Sequence, residues 1–428
     1  MTERRKPDRR IRELILPEDP EPGITYIPSQ FVVPVPSAGS SCLFNTLTGQ
    51  CIEAELPASA TAGAGFDELI EARFLVPEGL DESAFYSYVF SLMQLAKPES
   101  KVAGCTILPT LACNARCVYC YEEGMQPVSM TEETAEQAVR YLLSIRADRL
   151  LRLSWFGGEP LLLPDVIDRI CLGLQAAGAP YRSSMISNGS LITPGILEKM
   201  TGLWRLRNIQ ISMDGAEEDY RSRKRYLRYN GVYQRVIGAV ESMAEAGIRV
   251  SIRCNVDEGN LERIPRFLED LKAGVADRRR VSVYLAPLNA VRESENAVVV
   301  WDGIRDAKRL IDDAGFRSAD IIRLPRAFRT SHCMADRGAP VIAPDGSLYA
   351  CEHCPPEARY GDVWNGVTDE AARKAFCRTD LVRPSCRRCP YLPLCTGFQS
   401  CPVRDRDCRN VIRRALDELF SRLPSSGG

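Results

Sequence analysis

The sequence is poor in histidine and has no excess of either charge. Only two of its 428 residues are histidine, and 55 basic residues face 56 acidic ones, for a formal net charge of -1. Proteins that bind duplex nucleic acid usually carry a basic excess, so that class is disfavoured. No segment approaches the ~20 consecutive apolar residues that a membrane-spanning helix needs. The first residues, to Pro22, lack the apolar segment of a secretory signal, so we expect a soluble cytoplasmic protein with no nucleic-acid or membrane partner.

Cysteine, in contrast, is abundant, with 17 residues. Because the cytosol keeps thiols reduced, cysteines clustered at short spacings indicate metal binding or catalysis. Nine of them lie from Cys333 to Cys408, a density that core packing does not explain. Zinc usually takes some histidine and needs only four ligands per site, so iron–sulfur clusters are the better prediction.

The middle of the chain alternates short apolar runs with helical patterns. The predicted strands are Cys105–Pro109, Leu151–Phe156, Ser183–Ser187, Asn208–Met213, Arg249–Val256 and Val281–Pro287. Helices are predicted between them, for example over Thr131–Arg146. This alternation predicts an α/β fold with a parallel sheet, a partial (β/α)6 TIM-like barrel whose chemistry lies at the carboxyl ends of the strands.

The strongest motif is Cys113-Asn-Ala-Arg-Cys117-Val-Tyr-Cys120, directly after the first predicted strand. This spacing places three thiolates on one tight loop. They can bind three corners of a four-iron cluster and leave the fourth iron without a protein ligand. A zinc knuckle and three unrelated thiols are the alternatives.

With Tyr119 before the third cysteine, the motif resembles the signature of the radical S-adenosylmethionine (SAM) superfamily. The resemblance implies a [4Fe–4S] cluster on these cysteines, whose open iron binds SAM. It also implies reductive cleavage of SAM to a 5′-deoxyadenosyl radical that abstracts a substrate hydrogen, with an electron donor such as flavodoxin or ferredoxin. The cofactors supply that chemistry, and the protein orients them and excludes water.

Further motifs of this family follow the next three predicted strands. They are Trp155-Phe-Gly-Gly-Glu-Pro160, Ile186-Ser-Asn-Gly189 and Ser212-Met-Asp-Gly215. The resemblance assigns SAM binding to Tyr119, Gly157, Gly158, Glu159, Ser187, Asn188, Ser212 and Arg223. Glycine is expected in the first motif because a Cβ would block the approach of the cofactor. The basic run Arg221–Arg228 is predicted to be a solvated face.

The C-terminal cysteines resemble the SPASM extension of radical SAM enzymes that act on peptides, which holds two auxiliary [4Fe–4S] clusters. The resemblance assigns one cluster to Cys386, Cys389, Cys395 and Cys408, and the other to Cys333, Cys351 and Cys401. Cys354 is either the fourth ligand of the second cluster, or that cluster keeps an open iron for a substrate thiolate. Five residues separate Cys395 from Cys401 where relatives usually have three, and Cys377 is surplus. Paired Cys-x-x-Cys also fits a zinc ribbon.

Glu352, directly after Cys351, is the candidate catalytic residue. In sulfatase-activating relatives a carboxylate at this position serves as a base, and an exposed glutamate without a role is the alternative. The histidines, His332 and His353, each lie beside a C-terminal cysteine, and surface or hydrogen-bonding roles are expected for them.

Five segments are predicted: a charged flexible tail (1–24), an N-terminal module (25–98), the radical SAM partial barrel (99–325), the SPASM domain (326–412), and a C-terminal helix and tail (413–428). The N-terminal module resembles the leader-recognition modules of peptide-maturing enzymes, which add a leader peptide to a sheet as an extra strand. The alternative is that the module is only a cap that closes the open barrel.

The predicted function is a radical SAM enzyme that modifies a ribosomally made precursor peptide by hydrogen-atom abstraction, forming a thioether or carbon–carbon cross-link. One alternative is an anaerobic sulfatase-type maturase that makes formylglycine. Another is a non-catalytic iron–sulfur or zinc protein.

Overall fold

The computed structural model describes residues 20–37, 40–63, 65–95, 104–146, 150–228, 231–288, 297–319, 338–375, 384–395 and 408–421. The contacts divide the chain into two units. The first comprises 1–99, 322–336 and 375–428, and the second 100–321 and 337–374. The segment boundaries expected from the sequence stay a prediction.

The described residues of the N-terminal part of the first unit form short strands and two helices. The strands are β1 (Thr25–Pro28), β2 (Val32–Ser37), β3 (Ser40–Asn45), β4 (Cys51–Ile52), β5 (Ala60–Thr61) and β6 (Leu75–Pro77). The helices are α1 (Asp67–Glu71) and α2 (Glu82–Leu95). Two antiparallel sheets result, with the orders β5-β1-β6 and β2-β3-β4.

The second unit is an α/β sheet whose parallel strands follow chain order. Its strands are β7 (Gly104–Ile107), β8 (Leu151–Trp155), β9 (Tyr181–Ser187), β10 (Leu206–Ser212), β11 (Arg249–Val256), β12 (Val281–Pro287) and β13 (Arg317–Ser318). Its helices are α3 (Glu132–Ile145), α4 (Pro164–Ala176), α5 (Pro194–Thr201), α6 (Glu217–Lys224), α7 (Val232–Glu245), α8 (Glu258–Leu261), α9 (Ile264–Gly274) and α10 (Ala297–Asp313). Each strand pairs with the next along the chain, the order of a singly wound barrel, so the predicted α/β class is confirmed.

Local sequence signals explain these elements. Thr131 caps α3 as predicted, since its Oγ1 accepts a hydrogen bond from the backbone N–H of Thr134 at 3.1 Å. Ala135, Ala138 and Leu142, on one face of α3, are fully buried. The strands β11 and β12 have the predicted bounds, and the ends of the other four predicted strands differ from the prediction only slightly.

A C-terminal extension of the same sheet was not predicted. Strand β14 (Val341–Ile342) pairs in parallel with β7, and β15 (Ser347–Tyr349), β16 (Gly361–Asp362) and β17 (Gly366–Val367) continue the sheet antiparallel, before α11 (Glu370–Ala375). The segment that carries Cys351 and Cys354 therefore follows a strand of the sheet that also carries the three-cysteine loop.

The first unit is completed by residues from the C-terminal end of the chain. These form α12 (Leu392–Cys395) and α13 (Cys408–Ser421). Leu392 and the buried Cys386 and Cys389 share a core cluster with Phe31 and Tyr86. A second cluster unites residues of β2, β3 and β4 with Leu394, Ile412, Leu416 and Phe420. None of the helices in the described part of the chain is long and apolar enough to cross a membrane.

Candidate active site

The three-cysteine loop follows β7 at the carboxyl end of the sheet. Cys113, Cys117 and Cys120 are half-buried free thiols. Burial raises the pKa of Cys113 to about 11 and also raises the pKa values of the other two thiols. No three cysteine, histidine or carboxylate side chains of the described residues gather closely enough to hold a single metal ion. Three thiols on one loop fit a four-iron cluster better than a single metal ion. The irons of a cluster hold their ligands farther apart than one ion does, and binding ionises the thiols.

The two glycines of the second motif lie directly against this loop. The backbone N–H of Gly158 donates to the Thr110 carbonyl at 3.0 Å, and the N–H of Glu159 donates to that of Ala112 at 2.9 Å. A Cβ on Gly157 would lie 2.3 Å from the Thr110 oxygen, and one on Gly158 would lie 2.3 Å from the Ala112 oxygen. Gly157 also has a positive φ of 112°. The structural reason for these glycines is therefore close packing against the cysteine loop, whereas the sequence suggested room for the cofactor.

Glu159 is buried and joins the second motif to the third. Its Oε1 accepts a hydrogen bond from Ser187 Oγ at 2.8 Å, and its Oε2 accepts one from the Asn188 backbone N–H at 2.8 Å. Burial raises the pKa of Glu159, and these hydrogen bonds oppose the rise. Glu159 thus fixes the carboxyl end of β9. Its predicted contact with SAM stays a prediction.

Asn188 links β9 to the cysteine loop. Its Nδ2 donates to Oδ1 of Asn114, which follows Cys113, at 2.8 Å. Asn114 Nδ2 donates in turn to Ser190 Oγ at 2.9 Å. The third predicted motif therefore orients the loop that carries the thiols.

The end of α6 forms the opposite support of the cysteine loop. The backbone N–H groups of Arg116 and Val118 donate to the carbonyls of Lys224 and Arg223, both at 3.0 Å. Lys224 is only 3% exposed, so the prediction of a solvated basic run is wrong at its centre. Ser212, one of the predicted SAM contacts, accepts a hydrogen bond from Lys224 Nζ at 2.7 Å.

A buried polar group beneath the loop was missed by sequence reasoning. Tyr119 donates its hydroxyl hydrogen to Asp214 Oδ2, and Lys224 Nζ lies 3.8 Å from the same oxygen. Asp214 is fully buried, and Asn255 Nδ2 donates to its Oδ1 at 3.0 Å. The Asp-Gly pair after Ser212 was visible in the sequence, but nothing local indicated that Lys224 would fold back onto it.

Arg223, another of the predicted SAM contacts, forms an ion pair with Asp257. Its Nη1 is buried and has no hydrogen-bond partner among the described residues. Leaving such a donor unpaired costs free energy, which an anionic ligand group would offset. The residue therefore fits the predicted role, which stays a prediction.

The Cys351–Cys354 segment meets the cysteine loop. The ring of His353 packs on that of Tyr121, the residue after Cys120, with centroids 4.3 Å apart. Glu352 is half-buried, and its Oε2 lies 3.6 Å from Cys351 Sγ. Burial lowers the pKa of His353, whereas a hydrogen bond from Cys351 lowers the pKa of Cys354 to about 7. The candidate base thus lies beside the predicted cluster loop.

The other C-terminal cysteines give less information. Cys386 and Cys389 are buried in the first unit. Cys395 ends α12 and Cys408 begins α13, but their side chains are not among those described. Cys333, Cys377, Cys401 and His332 lie outside the described residues. Both auxiliary ligand sets therefore stay predictions.

Comparison with known proteins identifies the central part of the chain. Residues 107–271 match the family model of the radical SAM superfamily. These residues are a radical SAM domain. The AdoMet-dependent heme synthase of Methanosarcina barkeri is 23% identical over 321 residues, which cover 68% of this chain and 89% of that protein.

Solved structures show the same fold. Native anSMEcpe with bound AdoMet and Cp18Cys peptide has a TM-score of 0.56 and 16% identity, over 74% of this chain and 97% of that one. Streptococcus suis SuiB bound to precursor peptide SuiA has a TM-score of 0.51 and 14% identity, over 88% of this chain and 96% of that one. The radical SAM domain confirms the predicted superfamily and its cofactors, SAM and a [4Fe–4S] cluster.

Proposed function

We propose that this radical SAM enzyme modifies a peptide by hydrogen-atom abstraction and forms a thioether or carbon–carbon cross-link. The observation that carries the proposal is the contact between the Glu352–His353 segment and Tyr121, which places a carboxylate beside the cysteine loop. The likeness of fold to two proteins solved with peptides supports a peptide substrate. When bound, SAM and the cluster supply hydrogen-atom abstraction from an unactivated carbon.

The remaining chemistry falls to side chains of the protein. A cross-link removes two hydrogens and two electrons from the peptide. One hydrogen leaves as an atom, the other leaves as a proton, and a predicted auxiliary cluster would accept the remaining electron. Glu352 is suited to accept that proton, because it is a half-buried carboxylate beside the cysteine loop. His353, packed on Tyr121, holds the backbone of Glu352 in place.

The N-terminal module offers a place for the leader part of such a peptide. A cavity of about 730 Å³ lies beside β4 and the start of α1. Among the described strands, β4 lies at the edge of its sheet, the position at which such modules add a peptide strand. The cavity is lined by apolar and acidic residues, among them Ile52, Glu53, Glu55, Phe66 and Asp67. We therefore expect a leader segment that combines apolar and basic side chains.

The test is anaerobic co-expression with a short peptide encoded beside the gene, followed by mass spectrometry. A loss of about 2 Da per bond is expected, since two hydrogens leave. Glu352→Gln should lower the rate of cross-linking by about 10²–10⁴-fold while SAM cleavage persists. Glu357→Gln, at an exposed glutamate of the same segment, is the matched control. Unchanged cross-linking by the Glu352 variant would contradict the assigned base.

The second candidate function is oxidation of a peptide Cys or Ser to formylglycine, as in sulfatase-type maturases. The position of Glu352 after Cys351 favours it, because that is where the base of those relatives lies. Oxidation of Ser also removes about 2 Da, so mass alone does not separate the two. A product that reacts with a hydrazine as an aldehyde would favour this second function.

A further inference from the structure

Lys224 is a buried cation directly beneath the three-cysteine loop. Its side chain is 3% exposed, and its ammonium donates to Ser212 Oγ at 2.7 Å. The ammonium also lies 3.8 Å from Asp214 Oδ2 and 5.7 Å from the centroid of the Tyr119 ring. Burying an ammonium is costly unless it is paired and hydrogen-bonded, and here it is both. Its burial opposes the charge, yet the carboxylate of Asp214 raises the pKa of Lys224 well above its ordinary value, so the group stays a cation.

The backbone of the same residue fixes this charge relative to the thiols. The Lys224 carbonyl accepts the N–H of Arg116 at 3.0 Å, and the neighbouring Arg223 carbonyl accepts that of Val118 at 3.0 Å. The two donors, Arg116 and Val118, are the sequence neighbours of Cys117. The ammonium and the cysteine loop are thus anchored to the same helix end, and their separation is set by the fold.

The ammonium lies close to the part of the loop that carries two of the three thiols. It is 5.7 Å from the centroid of the Tyr119 ring, and Tyr119 stands between Cys117 and Cys120 in the sequence. A cation buried at this place acts in a medium of low dielectric constant, where charge interactions are strong.

We propose that Lys224 is the charge-compensating residue of the radical SAM cluster, and that its ammonium raises the reduction potential of that cluster. Reduction adds one electron to a cluster held by three thiolates, and a fixed positive charge stabilises the more negative state. Net charge and hydrogen bonding are established determinants of the potentials of iron–sulfur clusters. The inference concerns the cluster alone and is independent of the peptide substrate.

The test is a potentiometric titration of reconstituted enzyme, followed by electron paramagnetic resonance. The signal of the radical SAM cluster is identified as the one absent when Cys113, Cys117 and Cys120 are replaced by alanine. Lys224→Met is expected to shift the midpoint of that signal to a more negative potential. Lys224→Arg keeps the charge and is expected to stay near the wild-type midpoint. An unchanged midpoint in Lys224→Met would overturn the proposal, as would an equal shift in both variants.

A second variant keeps the test decisive if Lys224→Met does not fold, since that change leaves Asp214 buried without its cation. Lys224→Met combined with Asp214→Asn removes both charges. Asp214→Asn alone keeps the ammonium, so the double variant should have a midpoint at a more negative potential than Asp214→Asn. Equal midpoints in these two variants would refute the proposal. Weaker SAM binding at an unchanged midpoint would also refute it and would make Lys224 a SAM contact.

Discussion

The replacement Gly158→Ala tests how the radical SAM domain holds its cysteine loop. The new Cβ would lie 2.3 Å from the Ala112 oxygen, 2.6 Å from the Ala112 carbonyl carbon and 2.6 Å from the Leu111 oxygen. All three atoms are backbone, so no side-chain rotation relieves the contact. The loop that begins at Cys113 must therefore move, and overpacking of this kind costs about 1–3 kcal/mol.

Two measurements check this expectation. In a domain of about 200 residues each kcal/mol lost from the free energy of unfolding lowers the melting temperature by roughly 2–4 °C. The melting temperature of the apoprotein should therefore fall by about 2–12 °C. The reconstituted variant should also hold less iron and cleave SAM more slowly. Gly238→Ala is the matched control. That glycine is exposed within α7, and a Cβ there meets nothing within 4 Å, so a gain of about 0.5–1 kcal/mol is expected. Wild-type melting and iron content in Gly158→Ala would refute the packing argument.

Two further predictions concern stability. Burial would raise the pKa of Asp362, but hydrogen bonds from the backbone and side chain of Asn365 and from Arg359 hold that pKa below its ordinary value. Because the pKa is lower in the folded state than in the unfolded state, the ionised carboxylate stabilises the fold above about pH 4, and this stabilisation is lost as the pH falls. Asp362→Asn should therefore make the melting temperature depend less on pH in the acid range. An unchanged dependence of the melting temperature on pH would contradict this. Phe420→Ala, in the core of the first unit, should lower the free energy of unfolding in denaturant by about 3–5 kcal/mol. Tyr88→Ala, at a side chain that is 62% exposed, should change it little. Equal effects of the two variants would refute the assigned core.

Much of the barrel could be predicted from the sequence because its signals are local. Apolar runs marked six of the parallel strands, β7 to β12, but not the two-residue β13, and Thr131 marked the start of α3. The spacing of Cys113, Cys117 and Cys120 was sufficient to indicate a cluster loop, since ligands on a single loop need no knowledge of the tertiary fold.

The contacts that hold the loop could not be predicted in the same way. The ion pair of Lys224 with Asp214 joins residues on either side of a turn and a helix, and lysine in a basic run is usually solvated. Likewise, two-residue strands such as β14 carry too little pattern to reveal that they extend the barrel sheet. The reason for Gly158 was misjudged because its neighbour, the Ala112 carbonyl, is distant in sequence.

The first unit has a consequence for how the protein is made. Its core needs Phe31 and Phe44 from the start of the chain and Leu392 and Phe420 from the end. At roughly 5–20 residues per second, the ribosome needs on the order of half a minute to synthesise the barrel in between. During that time the apolar face of the N-terminal module stays uncovered, because its C-terminal partners have not been made. The barrel, in contrast, needs no strand from the C-terminal end of the chain. A shortened chain that ends before residue 384 would therefore keep an intact barrel, but its N-terminal module could not complete its core. The apolar face left exposed on that module would bind chaperones in the cell.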